Sequence, residues 1–290
     1  MRSRSFLRAL LAGAGIGLVL LVAWLLLRPG EPEPTQQLPA EFNPADFVKA
    51  RPRLDAPYVV TDYEVVDAML AMAQVRPNDV VVDLGSGDGR ILIAAARSHG
   101  ARGFGVDIDP IRIRESNANA QAAGVAHRVS FRQQDLFRTP ISGADVLTLY
   151  LSREINAQLR PRILAEMRPG TRVVSHDFDM GDWRYDQRQQ IGTATIYMWI
   201  VPARVGGTWR LAADGGGGTL QLEQSYQQVG GTLTGAGGES ARISQGRIAG
   251  DMIRFVAHLG GRRREFEGRI EGDRIVSTNP RDRWTATRIG

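Results

Sequence analysis

The chain has 290 residues, with 36 Lys+Arg against 31 Asp+Glu for a net charge of +5, and it contains no cysteine. The missing cysteine excludes disulfides, thiol catalysis and cysteine metal sites. Lys49 is the single lysine, the arginines are scattered and no basic run is interleaved with aromatics, so the footprint of a nucleic-acid binder is lacking. His99, His127, His176 and His258 lie far apart without ligand spacing, and no metal site is expected.

Residues 6–27 form an apolar run interrupted only by Arg8, with Arg2 and Arg4 before it and Arg28-Pro29 after it. At ~1.5 Å per helical residue such a run crosses a ~30 Å hydrocarbon core. Its exit, Trp24-Leu-Leu-Leu-Arg28-Pro29, lacks a small-x-small cleavage site. Residues 1–28 are therefore expected to be an uncleaved, single-pass anchor in the inner (cytoplasmic) membrane. Residues 29–57, rich in Pro, Glu and Gln, read as a semi-extended linker. Thr61-Asp-Tyr-Glu64 then reads as a capping box, and Val65, Val66, Met69, Leu70 and Met72 give the following helix an apolar face until Arg76-Pro77-Asn78 stops it.

Alternation follows. Strands are expected at 80–84, 103–106, 129–132, 145–150 and 172–175, separated by helices at 90–99, 110–123 and 153–167, with Gly100, Gly124 and Pro169-Gly170 as stops. Such repeats imply right-handed crossovers and a mostly parallel, Rossmann-like α/β sheet with helices on both faces. Residues 193–201 add a further strand, ended by Pro202. From Gly206 onward there is no helical stretch. Alternating runs at 208–211, 219–222, 228–233, 242–248, 252–258, 264–270, 274–276 and 283–289 are split by glycine turns. They predict a small antiparallel meander or barrel, with Trp209, Tyr226, Phe255, Phe266 and Trp284 as core. Domains are thus expected at 58–204 and 205–290.

The most informative stretch is Val81-Val-Asp-Leu-Gly-Ser-Gly-Asp-Gly-Arg90. A strand runs into Asp83, glycines fall at 85, 87 and 89, and a helix opens behind them. Glycines permit sharp turns and close ligand approach, and a helix N-terminus offers free N–H groups. The spacing is not that of the GxGxxG dinucleotide loop. Asp107 ends the second strand 18 residues after Gly89, where a doubly wound cofactor domain puts its ribose-binding acid. Asp109 precedes Pro110 and reads as a helix N-cap.

The run Asp-x-Gly-x-Gly-x-Gly resembles the first motif of class I S-adenosylmethionine (SAM) methyltransferases. The resemblance implies that Gly85, Ser86, Gly87 and Gly89 wrap the cofactor's tail and ribose, and that Asp83 faces the tail's ammonium. It also implies that Asp135, after the third strand, accepts from the adenine amino group, with the Leu136 N–H on the ring. The fourth strand ends in Leu149-Tyr150-Leu151, without the Asn/Asp-Pro-Pro-Tyr segment of enzymes that methylate planar exocyclic amines. That argues against a nucleobase acceptor. Tyr150 is placed to line the methyl channel. The fifth strand ends in Ser175-His176-Asp177-Phe178-Asp179, followed by Met180-Gly-Asp-Trp183. Here His176 or Asp177 is a candidate to assist removal of a proton from a lysine ammonium, whose free pKa is ~10.4, or else to orient a loop.

Several stretches together resemble bacterial relatives of the mitochondrial lysine methyltransferases that modify the ATP synthase c subunit and the adenine nucleotide translocase. They are Pro57-Tyr-Val-Val-Thr61 with Val65-Val-Asp-Ala-Met-Leu70, the glycine loop, Gly105-Val-Asp-Ile-Asp109, Thr148-Leu-Tyr-Leu151 and Ser175–Trp183. The resemblance covers about residues 55–203. It implies SAM-dependent protein-lysine methylation, with the segment around Tyr58 and Thr61 closing over the cofactor. The stretch after the fifth strand is too short for the usual final helix–strand pair, and the β-domain is not in the mitochondrial enzymes.

The expected protein is a membrane-anchored methyltransferase acting on a protein lysine. A small-molecule or lipid methyltransferase, and a non-catalytic envelope binding protein using the β-domain, are the alternatives. The positive-inside rule puts the N-terminus in the cytoplasm and hence the body outside, whereas SAM is made in the cytoplasm. The side faced by the catalytic domain stays open.

Overall fold

The computed structural model describes residues 59–214 and 216–289, all within one compact unit, Pro52–Gly290. The anchor expected at 1–28, the linker at 29–57 and Tyr58 lie outside the described residues. Among the described residues no helix is long and apolar enough to cross a membrane. The expected fold is corrected accordingly: it is a Rossmann-like sheet followed by a β-barrel, with no transmembrane helix in the described architecture.

The first part comprises α1 (Tyr63–Met72), β1 (Val80–Leu84), α2 (Arg90–His99), β2 (Arg102–Asp107), α3 (Pro110–Ala122), β3 (Val129–Gln133), β4 (Val146–Leu149), α4 (Arg153–Glu166), β5 (Arg172–His176), β6 (Gln187–Ile191) and β7 (Ala194–Ile200). The sheet order is β3-β2-β1-β4-β5-β7-β6. Strands β1 to β5 are parallel, and β7 runs antiparallel to both β5 and β6. Side chains of successive strand residues point to opposite faces. Val81 joins the core that α1, α2 and α3 cover, whereas Val82 and Leu84 join the one covered by α4 through Ile155, Leu159 and Ile163. The strand order reverses between β1 and β4, so their C-terminal ends form the crevice where such sheets bind ligands.

Two local expectations change. Thr61 does not cap α1. The N-cap is Asp62, which makes no side-chain cap bond, and Thr61 instead bonds to His176, 115 residues away. Strand β6, Gln-Arg-Gln-Gln-Ile, was not expected because it is an exposed edge strand without apolar alternation. Residues 177–186 join β5 to it as an irregular strip whose single strand-like feature is the bridge between Met180 and Trp183. Elsewhere the local signals hold. Asp109 accepts from Ile111 N–H with Pro110 at the first helical position, and Ser152 caps α4 by accepting from Ile155 N–H at 3.2 Å. Ser152→Ala is expected to cost about 1 kcal/mol, read as a fall of about 2–4 °C in Tm.

The second part holds β8 (Gly207–Ala213), β9 (Gly218–Ser225), β10 (Gln228–Gly235), β11 (Ser240–Arg242), β12 (Ser244–Ala249), β13 (Met252–Leu259), β14 (Arg262–Glu271), β15 (Arg274–Ser277) and β16 (Trp284–Arg288). Antiparallel pairing runs from β10 through β12, β13, β14, β15, β16 and β8 to β9, and β9 pairs back onto β10. The meander is therefore a closed eight-stranded barrel, which leaves no free edge in the ring; β11 lies outside it against β10. Its interior is filled by Trp209, Phe255, Phe266 and Trp284, all buried, with Phe255 stacked on Phe266 at 4.7 Å. Tyr226 is not part of that core. It sits in the β9–β10 turn and stacks on Trp183 of the first part.

Candidate active site

Behind β1 the chain turns through Gly85, Gly87 and Gly89 at φ of 79°, 52° and 83°, a left-handed conformation that glycine adopts without strain. Gly85 and Ser86 N–H both donate to Val106 O, at 2.8 and 2.9 Å, which ties the loop to β2. Asp107 at the end of β2 fixes it further. One carboxylate oxygen accepts from Gly87 N–H at 3.0 Å and the other from Asp109 N–H at 2.9 Å. Gly105 completes the fit, since a Cβ there would stand 2.5 Å from that of Ser86.

Asp83 is buried at 2% exposure beside this loop. Its Oδ1 accepts from the Thr148 hydroxyl at 2.7 Å, while Oδ2 has no partner among the described residues. Burial raises its pKa from 3.8 to about 7; the Thr148 bond opposes this, and the charges of Asp107 and Asp88 add to it. Ser86 Oγ is likewise buried without a partner. Asp135 accepts from Phe137 N–H at 2.8 Å and so caps the 3-10 turn Leu136–Arg138, with Leu136 half-buried beside it.

The loop is wired to the opposite wall. Arg90, the first residue of α2, forks onto Asp88 at 2.5–3.0 Å and donates to Thr61 O at 2.8 Å. Burial would raise the Asp88 pKa, but the bonds and charge of Arg90 outweigh it and hold the carboxyl below its usual value. Thr61 in turn bonds its hydroxyl to His176 Nδ1 at 3.2 Å.

At the end of β5, Tyr150 stacks on His176 with centroids 3.8 Å apart, and Phe178 lies 6.3 Å from the Tyr150 ring. His176 is 5% exposed, and its Nε2 stands 3.4 Å from Asp177 Oδ2. The ring's hydrogen bond among the described residues is thus the one at Nδ1. Desolvation lowers its pKa against the pull of Asp177 and Asp62, which leaves it neutral at pH 7. Burial, then Asp177 and Asp62, raise the Tyr150 pKa, so its phenol stays protonated. Asp177 adopts φ +60°. Its N–H donates to Thr195 O at 2.6 Å and its Oδ1 accepts from Thr195 N–H at 2.7 Å. From α4, the buried Asn156 donates to Ser175 Oγ and Phe178 O, each at 3.0 Å.

Tyr150, His176, Asp177 and Thr61 are therefore brought into one cluster, next to the loop that carries Asp83, Gly85, Ser86, Gly87, Gly89 and Asp107. Asp135 and Leu136 lie in the 3-10 turn that follows β3. Sequence reasoning missed Arg90, Thr148 and Asn156. Two of them carried a signal. A cation at a helix N-terminus opposes the macrodipole and needs another partner. A threonine inside the apolar strand Val-Leu-Thr-Leu needs a hydrogen bond when buried.

The residues fit SAM. Asp83 Oδ2 and Ser86 Oγ are buried polar atoms without a partner among the described residues, as an ammonium-bearing tail requires.

The comparisons agree. The family model described as the ANTKMT methyltransferase domain matches residues 83–187. A protein-lysine N-methyltransferase of Saccharolobus islandicus is 39% identical over 150 residues, covering 50% of this chain and 93% of that protein. The adenine nucleotide translocase lysine N-methyltransferase of Mus musculus is 30% identical over 174 residues, covering 60% of this chain and 69% of the relative. Among solved structures, an RNA methyltransferase from Salinibacter ruber in complex with S-adenosyl-L-homocysteine is 52% identical with a TM-score of 0.50, covering 51% of this chain and 96% of that one. The chain belongs to the class I methyltransferase family that includes the adenine nucleotide translocase lysine N-methyltransferases, and its cofactor is SAM.

Proposed function

We propose that this enzyme methylates the ε-amino group of a protein lysine. The observation that carries the reading is the acceptor end of the crevice. Tyr150 and Phe178 present aromatic surface, and the Asp177 and Asp62 carboxylates act on the Tyr150–His176 pair. Aromatic faces and carboxylates together attract an ammonium. Asp179 is paired with Arg153 at 2.9 Å, whereas Asp177, whose Oδ1 accepts from Thr195 N–H, sets its charge beside the Tyr150–His176 pair together with Asp62. The bound cofactor supplies an electrophilic methyl group on a sulfonium. The chain's own residues supply alignment, the main source of rate in an in-line displacement. Tyr150, held by the stack on His176, walls the path of approach. Neutral His176 holds the Thr61 hydroxyl at Nδ1 and stacks on Tyr150. The names of the Saccharolobus and mouse relatives support the same acceptor.

The Salinibacter structure, described as an RNA methyltransferase, favours a second reading, with RNA as acceptor. Against it stand the Leu149-Tyr150-Leu151-Ser152 segment in place of Asn/Asp-Pro-Pro-Tyr and carboxylates where a polyanion would approach. Incubating the enzyme with methyl-labelled SAM and a cell extract tests both. Label that is destroyed by protease and survives ribonuclease is expected. Label released by ribonuclease assigns RNA, and label extracted with lipid sinks both readings.

A further inference from the structure

The strip 177–186 begins at the acceptor cluster and has almost no secondary structure of its own, so its shape depends on what holds it. On the α4 side, Asn156 holds Phe178 O and Arg160 donates to Met180 O at 2.6 Å. On the other side the holder is the barrel. The Trp183 indole N–H donates to Gln227 Oε1 at 3.0 Å, and Gln227 Nε2 donates to Arg184 O at 2.5 Å. Trp183 is 0% and Gln227 2% exposed. Tyr226 stacks on the Trp183 ring at 6.0 Å and donates its hydroxyl to Asp182 at 2.9 Å, with the Arg160 guanidinium over the Tyr226 ring at 5.7 Å from its centroid. Arg247 of β12 pairs with Asp186, whose second oxygen accepts from Ile200 N–H at 2.8 Å.

One detail sets this apart from ordinary domain packing. Tyr226 has φ +53°. A bulky residue in the left-handed region of a tight turn is strained where glycine would not be, and here the ring and hydroxyl of that residue both contact the strip. Buried polar networks of this kind fix geometry more sharply than apolar contact.

We propose that the β9–β10 turn is a working wall of the acceptor site. Tyr226 and Gln227 are positioning residues that hold the strip 177–186, and through it Asp177 and Phe178, against Tyr150 and His176. Neither touches the reacting atoms. The barrel is thus part of the methyltransferase, and its turn helps set which acceptors fit. The acceptor side of this proposal rests on the protein-lysine reading above.

The test uses the full chain with Tyr226→Gly, which relieves the backbone while removing the ring, and Gln227→Met, which keeps the volume while removing both bonds. Tyr226→Phe, which loses only a hydroxyl, serves should the glycine variant not fold. Three quantities are read: amide hydrogen exchange across 177–186, the Kd for SAM, and label transfer against concentration of extract protein. Exchange in the strip is expected to rise by about tenfold or more. The SAM Kd is expected to stay within about twofold, and kcat/KM for the protein acceptor to fall about tenfold, mainly through KM. Unchanged exchange in the strip in both variants overturns the proposal. So does faster exchange with unchanged KM and kcat, which would make the turn a brace for stability alone. A wild-type enzyme that puts no label into protein refutes the lysine reading instead, and exchange in the strip then decides the coupling by itself.

Discussion

Asp83→Asn is expected to make the ligand-free protein more stable at pH 8 and a poorer binder of SAM. The carboxyl titrates at 3.8 when unperturbed and at about 7 in the fold. Between those values the folded chain holds a proton that the unfolded chain has lost. Stability from this group is therefore fully present below about pH 4, declines as pH rises, and is gone above about pH 7. At about 1.4 kcal/mol per unit, the decline amounts to roughly 4 kcal/mol at most. Asparagine does not titrate, so the variant should recover on the order of 1–3 kcal/mol at pH 8, seen as a Tm that no longer falls between pH 5 and 8. The cost appears in binding. A charge-assisted bond is worth about 1.5–3 kcal/mol, so the Kd for SAM should rise about 10- to 100-fold. Wild-type affinity should increase as pH rises through 7, when the carboxylate forms, and the variant's should not. Equal affinity in calorimetry would mean that Asp83 faces something other than the cofactor's ammonium.

Asp107→Ala should weaken SAM binding at least as strongly. The substitution removes the acceptor expected to meet the ribose hydroxyls, worth about 1–3 kcal/mol. It also frees the Gly87 and Asp109 N–H groups that the carboxylate now holds, so the loop loses its shape as well as a contact. A rise of about 100-fold or more in Kd is expected in titration calorimetry. Asp107→Asn should fall between, because its amide keeps one acceptor and turns an N–H donor towards another donor. An unchanged Kd for the alanine variant would place the ribose elsewhere.

Much of the cofactor crevice is legible in the sequence because it is local. Glycines at 85, 87 and 89 follow an apolar strand, and Asp107 and Asp135 close the next two strands in turn. The helices and parallel strands are equally local, since apolar periodicity and the stops at Gly100, Gly124 and Gly170 mark them. What failed was tertiary. Thr61-Asp-Tyr-Glu64 satisfies a capping pattern, but a buried partner, His176, claims the threonine hydroxyl. Strand β6 is polar because four of its five residues are exposed at the sheet edge. The run 242–248, read as one strand, splits into β11 and β12, and the register shifts between Ser244 and Arg247. Tyr226 reads as barrel core because it is aromatic, but its stack on Trp183 exists only once two distant segments meet. The membrane-spanning helix expected at 1–28 lies outside the described residues, and no described helix is long and apolar enough to cross a membrane.

The central claim is chemical, and hydrolysis of the labelled product tests it most directly. After transfer from methyl-labelled SAM to extract protein, complete acid hydrolysis should leave the label in ε-N-methylated lysine with the wild-type enzyme, and in far less of it with Asp107→Ala at the same SAM concentration. Label recovered in methylarginine, in a base-labile ester or in nucleotides would contradict the account.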